Sequence, residues 1–367
     1  MNDNLFLNVS IFTGGNVDDL DKTVQSVLGQ NYDLNKVHLL FVGFNSPAEI
    51  KEKILQYRSY GAGFYFLEDC NPGRTAVART HALWRAEPST DSLYLHLRPG
   101  DTLFPNCFAV LVRRRNAATQ KCIPANFFAA ETDICYADGS IRKQRPLFRE
   151  CCHLRPFSED SLEYVNHGYR HQVLTFAASS PKTLDKGATL VNHLPRWNNC
   201  ALRGMTSDML YISDSLACLK AWEPVDELDD LLFSFEQILS ACRVALEQPD
   251  IYVIGQGFEA ACRAQLVKYA LWRSFVLHVQ GRKQEAEDCF LFAPVIFSTI
   301  VHAACWRSME CLLTDNDPTA KAWLDAYFEQ EDEPVRPERP LEGGFSRIRQ
   351  GLRRLCLREK KSRFSDW

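Results

Sequence analysis

The chain of 367 residues carries 14 cysteines yet lacks any Cys-x-x-Cys pair. Zinc ribbons and dithiol redox sites need that spacing to bring two sulfurs to one point, so neither class is expected. The one close pair, Cys151-Cys152, consists of neighbours poorly placed to bridge each other. Free, mostly buried thiols in a reducing cytoplasm are the expectation. A basic excess is also missing. The formal net charge is −4, which argues against a general nucleic-acid binder. No long apolar run is present either. The richest, Cys289 to Cys305, has 17 residues and contains Pro294, Ser298, Thr299 and His302, which falls short of a membrane span. It reads as a buried helix pair or as the surface of a homo-oligomer. The opening Met1-Asn2-Asp3-Asn4 has no basic segment and no cleavage site, so no secretory signal is expected. Apolar residues at 46% and charged residues at 24% are ordinary globular values, and the length suits a core domain with an appendage.

What is present is an alternating pattern. Leu7 to Phe12 is a short apolar run broken by Gly14-Gly15, and reads as a buried strand ending in a turn. Val17 to Leu28 follows at helical spacing, with Leu20, Val24, Val27 and Leu28 on one side. A strand over Val37 to Val42, a helix over Pro47 to Tyr57 and a strand over Phe64 to Leu67 come next. Then follow a helix over Arg74 to Arg85 and a strand over Leu93 to Leu97. Strands alternating with helices of this length predict a mainly parallel sheet flanked by helices. Ligands of such sheets sit beyond the carboxyl ends of the strands. The turns at Thr13-Gly14-Gly15, Gly43-Phe44-Asn45 and Arg98-Pro99-Gly100-Asp101 fall on that rim.

From about Ile134 the rhythm changes. Tyr136-Ala137-Asp138-Gly139 is a hairpin-type turn, and the stretch to about Leu202 carries no long helix. Helix returns over Asp229 to Arg243, and the chain beyond Gln256 reads as all-helical. Cys262, Leu266, Tyr269, Val276 and Val279 line one face before a stop at Gly281. Asp317-Pro318 caps and opens a helix through Phe328. Glu329 to Gly344 is acidic and proline-rich, a linker composition. The expected division is 1–240, 241–328, the linker 329–344 and a tail 345–367.

Four ordered signatures carry a resemblance. They are Val9-Ser10-Ile11-Phe12 with Asn16; Ser26-Val27-Leu28-Gly29-Gln30-Asn31-Tyr32; Asn71-Pro72-Gly73 leading to Ala78-Arg79; and Tyr94-Leu95-His96-Leu97 running into Arg98-Pro99-Gly100-Asp101, with Pro105 beyond. Together they resemble the family 2 glycosyltransferases of the GT-A fold, inverting enzymes that use nucleotide sugars. The resemblance covers residues 5 to about 240. It implies an α/β GT-A domain with a C-terminal all-helical appendage, and a donor site of Thr13, Asn16, Gly43, Asn45, Arg79, Arg98 and Asp101. It also implies a Mg²⁺ or Mn²⁺ ion on Asp101 and an acceptor that is a glycan, a lipid-linked sugar or a protein.

Sugar transfer from such a donor makes two demands. Charge growing on the leaving diphosphate must be neutralised, normally by a cation held on carboxylates. The acceptor hydroxyl must also lose a proton to a base. Within Val225 to Phe233 the resemblance matches Asp229-Asp230 to a Glu-Asp pair that opens a helix, with Asp230 as the base. Acids are favoured in any first helical turn, so the same residues also fit a plain helix start.

The chain departs from the pattern in several places. Arg98 and Gly100 stand where carboxylates are common, Gly43-Phe44-Asn45-Ser46 replaces an aspartate pair, and Thr80 replaces an asparagine. Arg98 suits either a diphosphate or a solvated Pro-Gly turn. The lost acids also suit a degenerate transferase-like protein that binds a sugar or a partner enzyme. Arg113-Arg114-Arg115 reads as a solvated helix face. His167 and His171 have the spacing of a metal pair but no third ligand nearby, and Trp197 suits a core or a sugar-binding wall.

In the tail, Phe345, Ile348, Leu352 and Leu355 share one helical face, with eight cations against Glu359 and Asp366. Such a segment can lie on an anionic bilayer, here at 345–364, which would place the protein at the inner face of the cell membrane. A solvated charged tail is the other reading.

Overall fold

The computed structural model describes residues 5–13, 16–43, 46–60, 63–67, 92–123, 127–155, 158, 172–177, 208–221, 228, 231–232, 234–236, 238–239 and 252–330. The chain divides into two compact units. One comprises Met1–Pro156 with Arg170–Val225, and the other Phe157–Tyr169 with Asp226–Trp367.

The first unit opens with β1 (Phe6–Phe12), α1 (Val17–Leu28), β2 (Val37–Val42), α2 (Ala48–Gln56) and β3 (Gly63–Leu67). It continues with β4 (Ser92–Leu97), β5 (Thr102–Leu103), α3 (Cys107–Gln120), β6 (Phe127–Cys135), β7 (Ile141–Lys143), β8 (Cys152–Leu154), β9 (Leu174–Ala177) and β10 (Met209–Lys220). Among the described residues these strands form one sheet in the order β3-β2-β1-β4-β9-β6-β10-β5, with β7 beside β6 and β8 beside β10. The pairs β1–β2, β1–β4, β2–β3 and β6–β10 are parallel, whereas β9 and β5 run antiparallel to their neighbours. The expected mixed, mainly parallel α/β sheet is therefore present.

Burial explains the apolar runs. In β1, Leu7, Val9 and Ile11 are buried on one face, and Asn8 and Ser10 are buried on the other. A parallel strand covered on both faces has this character. The polar residue Asn8 is matched across the ladder, where its Oδ1 lies 2.9 Å from His38 Nδ1. Against this layer α1 packs Leu20, Val24 and Val27. The expected hairpin at Tyr136–Gly139 joins β6 to β7, with the Tyr136 N–H donating to the Ser140 carbonyl at 2.9 Å. Gly139 takes the positive φ of +82° that the turn requires.

The second unit is helical among its described residues, with α4 (Tyr252–Val279), α5 (Lys283–Ile296), α6 (Ala304–Asp315) and α7 (Pro318–Gln330). The described residues from 228 to 239 are also helical. Of the expected face on α4, Cys262, Leu266 and Tyr269 are buried. Val279 is exposed, because it is the last residue of the helix before the left-handed Gly281. Ser274 Oγ on α4 donates to the Ala286 carbonyl of α5 at 2.6 Å, and Phe290 stacks on Trp306 at 3.8 Å. Asp317 caps α7 as expected, its Oδ1 accepting from the Thr319 N–H at 2.8 Å. Within the apolar stretch from Cys289, the residues Cys289, Phe290, Phe292, Ala293 and Ile296 are buried, while Leu291 and Val295 face outward. No helix among the described residues is long and apolar enough to cross a membrane.

Candidate donor site at the sheet rim

Register places the candidate residues. Ile11 stands opposite Leu97 and Phe12 opposite Val42, so Thr13, Gly43 and Arg98 follow directly on the ends of three adjacent parallel strands. The chain leaving β4 turns at Arg98–Asp101 and returns as β5, which pairs with the end of β10 through Thr102 and Cys218. That return brings Lys220, the last residue of β10, onto the turn.

Asp101 is fully buried in this corner. Its Oδ2 accepts the Arg98 N–H at 2.7 Å, and its Oδ1 accepts the Lys220 N–H at 3.0 Å. The Arg98 guanidinium donates from Nη2 to the Lys220 carbonyl at 2.6 Å and lies 3.8 Å from Asp101 Oδ1. One carboxylate and one guanidinium thus join the β4 turn to the end of β10. From the other side, the Gly100 N–H donates to the Asp19 carbonyl at 3.1 Å and to Thr23 Oγ1 at 2.9 Å.

Asn16 is the N-cap of α1, its Oδ1 accepting from the Asp19 N–H at 2.7 Å. Its Nδ2 donates to Asp19 Oδ2 at 3.2 Å, and Lys220 Nζ pairs with the same oxygen at 2.7 Å. Asn16, Asp19, Lys220, Arg98 and Asp101 therefore form a linked set. Asp19 and Lys220 belong to no motif, and only the topology brings them to the rim.

Thr13 and Gly43 form a second group on this edge. The Thr13 N–H donates to the Val42 carbonyl at 2.9 Å, and its hydroxyl lies 2.8 Å from Ser46 Oγ. A Cβ on Gly43 would stand 2.5 Å from Ser46 Oγ and 2.7 Å from Thr13 Oγ1. Position 43 therefore has no room for an acidic side chain in this arrangement.

A divalent ion beside a diphosphate needs accessible carboxylate oxygens. Asp101 is enclosed and committed to backbone N–H groups, and Gly100 offers no ligand. Among the described residues no group of three or more His, Cys, Asp or Glu side chains is placed to hold a metal. The described residues do not fit the Mg²⁺ or Mn²⁺ that the resemblance implies at Asp101. Asn45, Arg79, Asp229, Asp230, His167, His171 and Trp197 lie outside the described residues, as do residues 331–344 of the expected linker and the tail, whereas Glu329 and Gln330 still belong to α7. Of the arginine run, Arg113 is exposed, and Arg114 makes a solvent-exposed pair with Asp214 at 2.9 Å.

The sheet, its rim and the helical region define a GT-A fold. It is similar to S. aureus TarS 1-349, a glycosyltransferase, with a TM-score of 0.54 and 10% identity over 90% of this chain and 93% of that one. The same protein in complex with UDP-GlcNAc matches with a TM-score of 0.55 and 10% identity, over 89% and 92% of the two chains. Its complex with UDP matches with a TM-score of 0.54 and 10% identity, over 85% and 92%. No protein-family model matches the sequence, and no curated protein does so either.

Proposed function

We propose that the protein is a glycosyltransferase that moves a sugar from a nucleotide-diphosphate sugar to a glycan, lipid-linked or protein acceptor with inversion. The observation that carries this reading is the match of fold over most of both chains to a transferase seen with UDP-GlcNAc. It is joined by a polar rim at the carboxyl ends of β1, β2, β4 and β10, where open α/β sheets bind ligands. In the proposed reaction an acceptor hydroxyl attacks the anomeric carbon while the bond to the diphosphate oxygen breaks on the opposite side. The hydroxyl proton passes to Asp230, and the diphosphate leaves with the electron pair of the broken bond.

A panel of nucleotide sugars, read by thermal shift and by donor hydrolysis, tests the proposal. One donor should stabilise the protein and be consumed. Asp230→Asn should lower turnover by about 10²–10⁴-fold while leaving donor binding intact. The commitment of Asp101 to backbone N–H groups favours one second reading, a degenerate protein that binds a sugar or a partner enzyme without catalysis. Stabilisation by a donor with no hydrolysis or transfer would support a binding protein. No stabilisation by any donor would leave the partner-scaffold reading.

A further inference from the structure

We propose that Lys220 supplies the positive charge for the donor diphosphate, standing where the family pattern would place a metal carboxylate. The inference rests on the transferase reading above and names the residue that answers the leaving charge. Gly100 occupies a position where the resemblance places an acid, and that position is closed here. Its φ is +95°, and a Cβ built on it would meet Lys220 Cδ at 2.9 Å. The lysine stem therefore lies across the ground from which a carboxylate would project, and its ammonium reaches the rim beside α1.

Among the described residues three cations reach this corner: Arg98, Lys220 and the exposed Lys22, whose Nζ lies 3.9 Å from Asp19 Oδ1 on the far side of that carboxylate. Arg98 and Lys220 stand at the turn itself, and they differ in freedom. The Arg98 side chain is only 25% exposed and is tied to the Lys220 carbonyl and to Asp101. It acts as a strut. The Lys220 side chain is 46% exposed, and its ammonium pairs with Asp19. An exposed pair of this kind contributes little to stability. A lysine ammonium is a point charge on a flexible stem, able to exchange one anionic partner for another of higher charge. A diphosphate brings more charge than a single carboxylate, so the ammonium turns from Asp19 to the phosphates when the donor arrives. Asp19, held by Asn16, keeps the lysine at the rim in the meantime. The reaction then proceeds without a divalent ion.

The test is calorimetric titration of full-length protein with UDP, in Mn²⁺ and in EDTA, alongside Lys220→Met and Lys220→Arg. Lys220→Met keeps the stem and the backbone groups that hold Asp101 and removes only the charge. Wild-type affinity should be the same within about twofold in Mn²⁺ and in EDTA. Lys220→Met should bind UDP tenfold or more weakly, and Lys220→Arg should recover most of the loss. Uridine, followed by saturation-transfer NMR, should bind wild type and Lys220→Met alike, which a collapsed site would not permit. UDP binding that requires Mn²⁺, or a Lys220→Met protein with unchanged UDP affinity, would overturn the inference and leave the transferase reading standing. Failure of UDP and every other nucleoside diphosphate to bind under either condition would overturn both.

Discussion

Lys220 Nζ lies 2.7 Å from Asp19 Oδ2, an ion pair between residues 201 positions apart in the chain. The Asp19 carboxylate is held in place by the residue that caps α1. Asn16 caps the helix through the Asp19 N–H and also donates to the Asp19 side chain. Removing Asn16 therefore acts twice, on the helix start and on the partner of the lysine. Asn16→Ala should cost about 1 kcal/mol, the usual worth of a cap, and Asn16→Ser should recover most of it. The comparison is read from thermal midpoints, and an alanine variant as stable as wild type would refute the capping role.

Asp101 is expected to act on stability before chemistry. Its two oxygens accept N–H groups from Arg98 and Lys220 in a site with no exposure. In Asp101→Asn one acceptor becomes an amide that faces a backbone donor, leaving a buried polar group unpaired. The expected loss is about 1–3 kcal/mol, read as a lowered midpoint in thermal denaturation. A carboxylate reserved for a metal would give the opposite pattern, with stability kept and only metal-dependent activity lost.

A second carboxylate on α1 sets a pH dependence. The Tyr57 hydroxyl holds the Asp21 carboxyl below the usual carboxylate range, with Lys53 at 2.9 Å adding to the effect. Burial, reinforced by Asp21, pushes the Tyr57 phenol far up, so it remains a donor. Because the folded-state value of Asp21 is depressed, its contribution is present above the ordinary carboxylate range and is lost as pH falls through the folded value. Tyr57→Phe removes the largest cause. Its deficit in stability against wild type should be widest near neutrality and should narrow in acid. Denaturant unfolding of both proteins at pH 7 and at pH 3 measures this, and a deficit independent of pH would contradict it.

The first half of the sheet was legible because its strands are covered on both faces. Val37–Val42 is almost continuously apolar, and its helical neighbour α1 shows Leu20, Val24 and Val27 at the right spacing. β10 was not legible. Its run is interrupted by Ser213, Asp214 and Ser215, where the ladder to β6 shifts register between Ile212 and Ala217. Sequence periodicity breaks where the strand bulges, although pairing resumes beyond. For the same reason Lys220 carried no signal, since only the return of β5 onto β10 brings it to Gly100. Asp101 was legible as a residue type, but its commitment was not. A motif records a carboxylate without recording that backbone N–H groups have taken its oxygens.

The tail of residues 345–367 is expected to bind membranes by charge and by a shallow apolar contact together. Each cation near an anionic leaflet contributes up to ~1 kcal/mol, and eight stand against two acids in this segment. Phe345, Ile348, Leu352 and Leu355 recur at helical spacing and add an apolar face that alone is too small for stable anchoring. Binding that depends on both should be reversible and should fall as salt shortens the range of the attraction. Co-sedimentation of full-length protein and residues 1–340 with vesicles of anionic or neutral lipid is the measurement. Full-length protein should pellet with anionic vesicles at low salt and be released by salt, while residues 1–340 should stay in the supernatant. Equal behaviour of the two proteins, or binding indifferent to lipid charge, would make the tail a solvated appendage, because its surplus of cations would then have no anionic surface to answer.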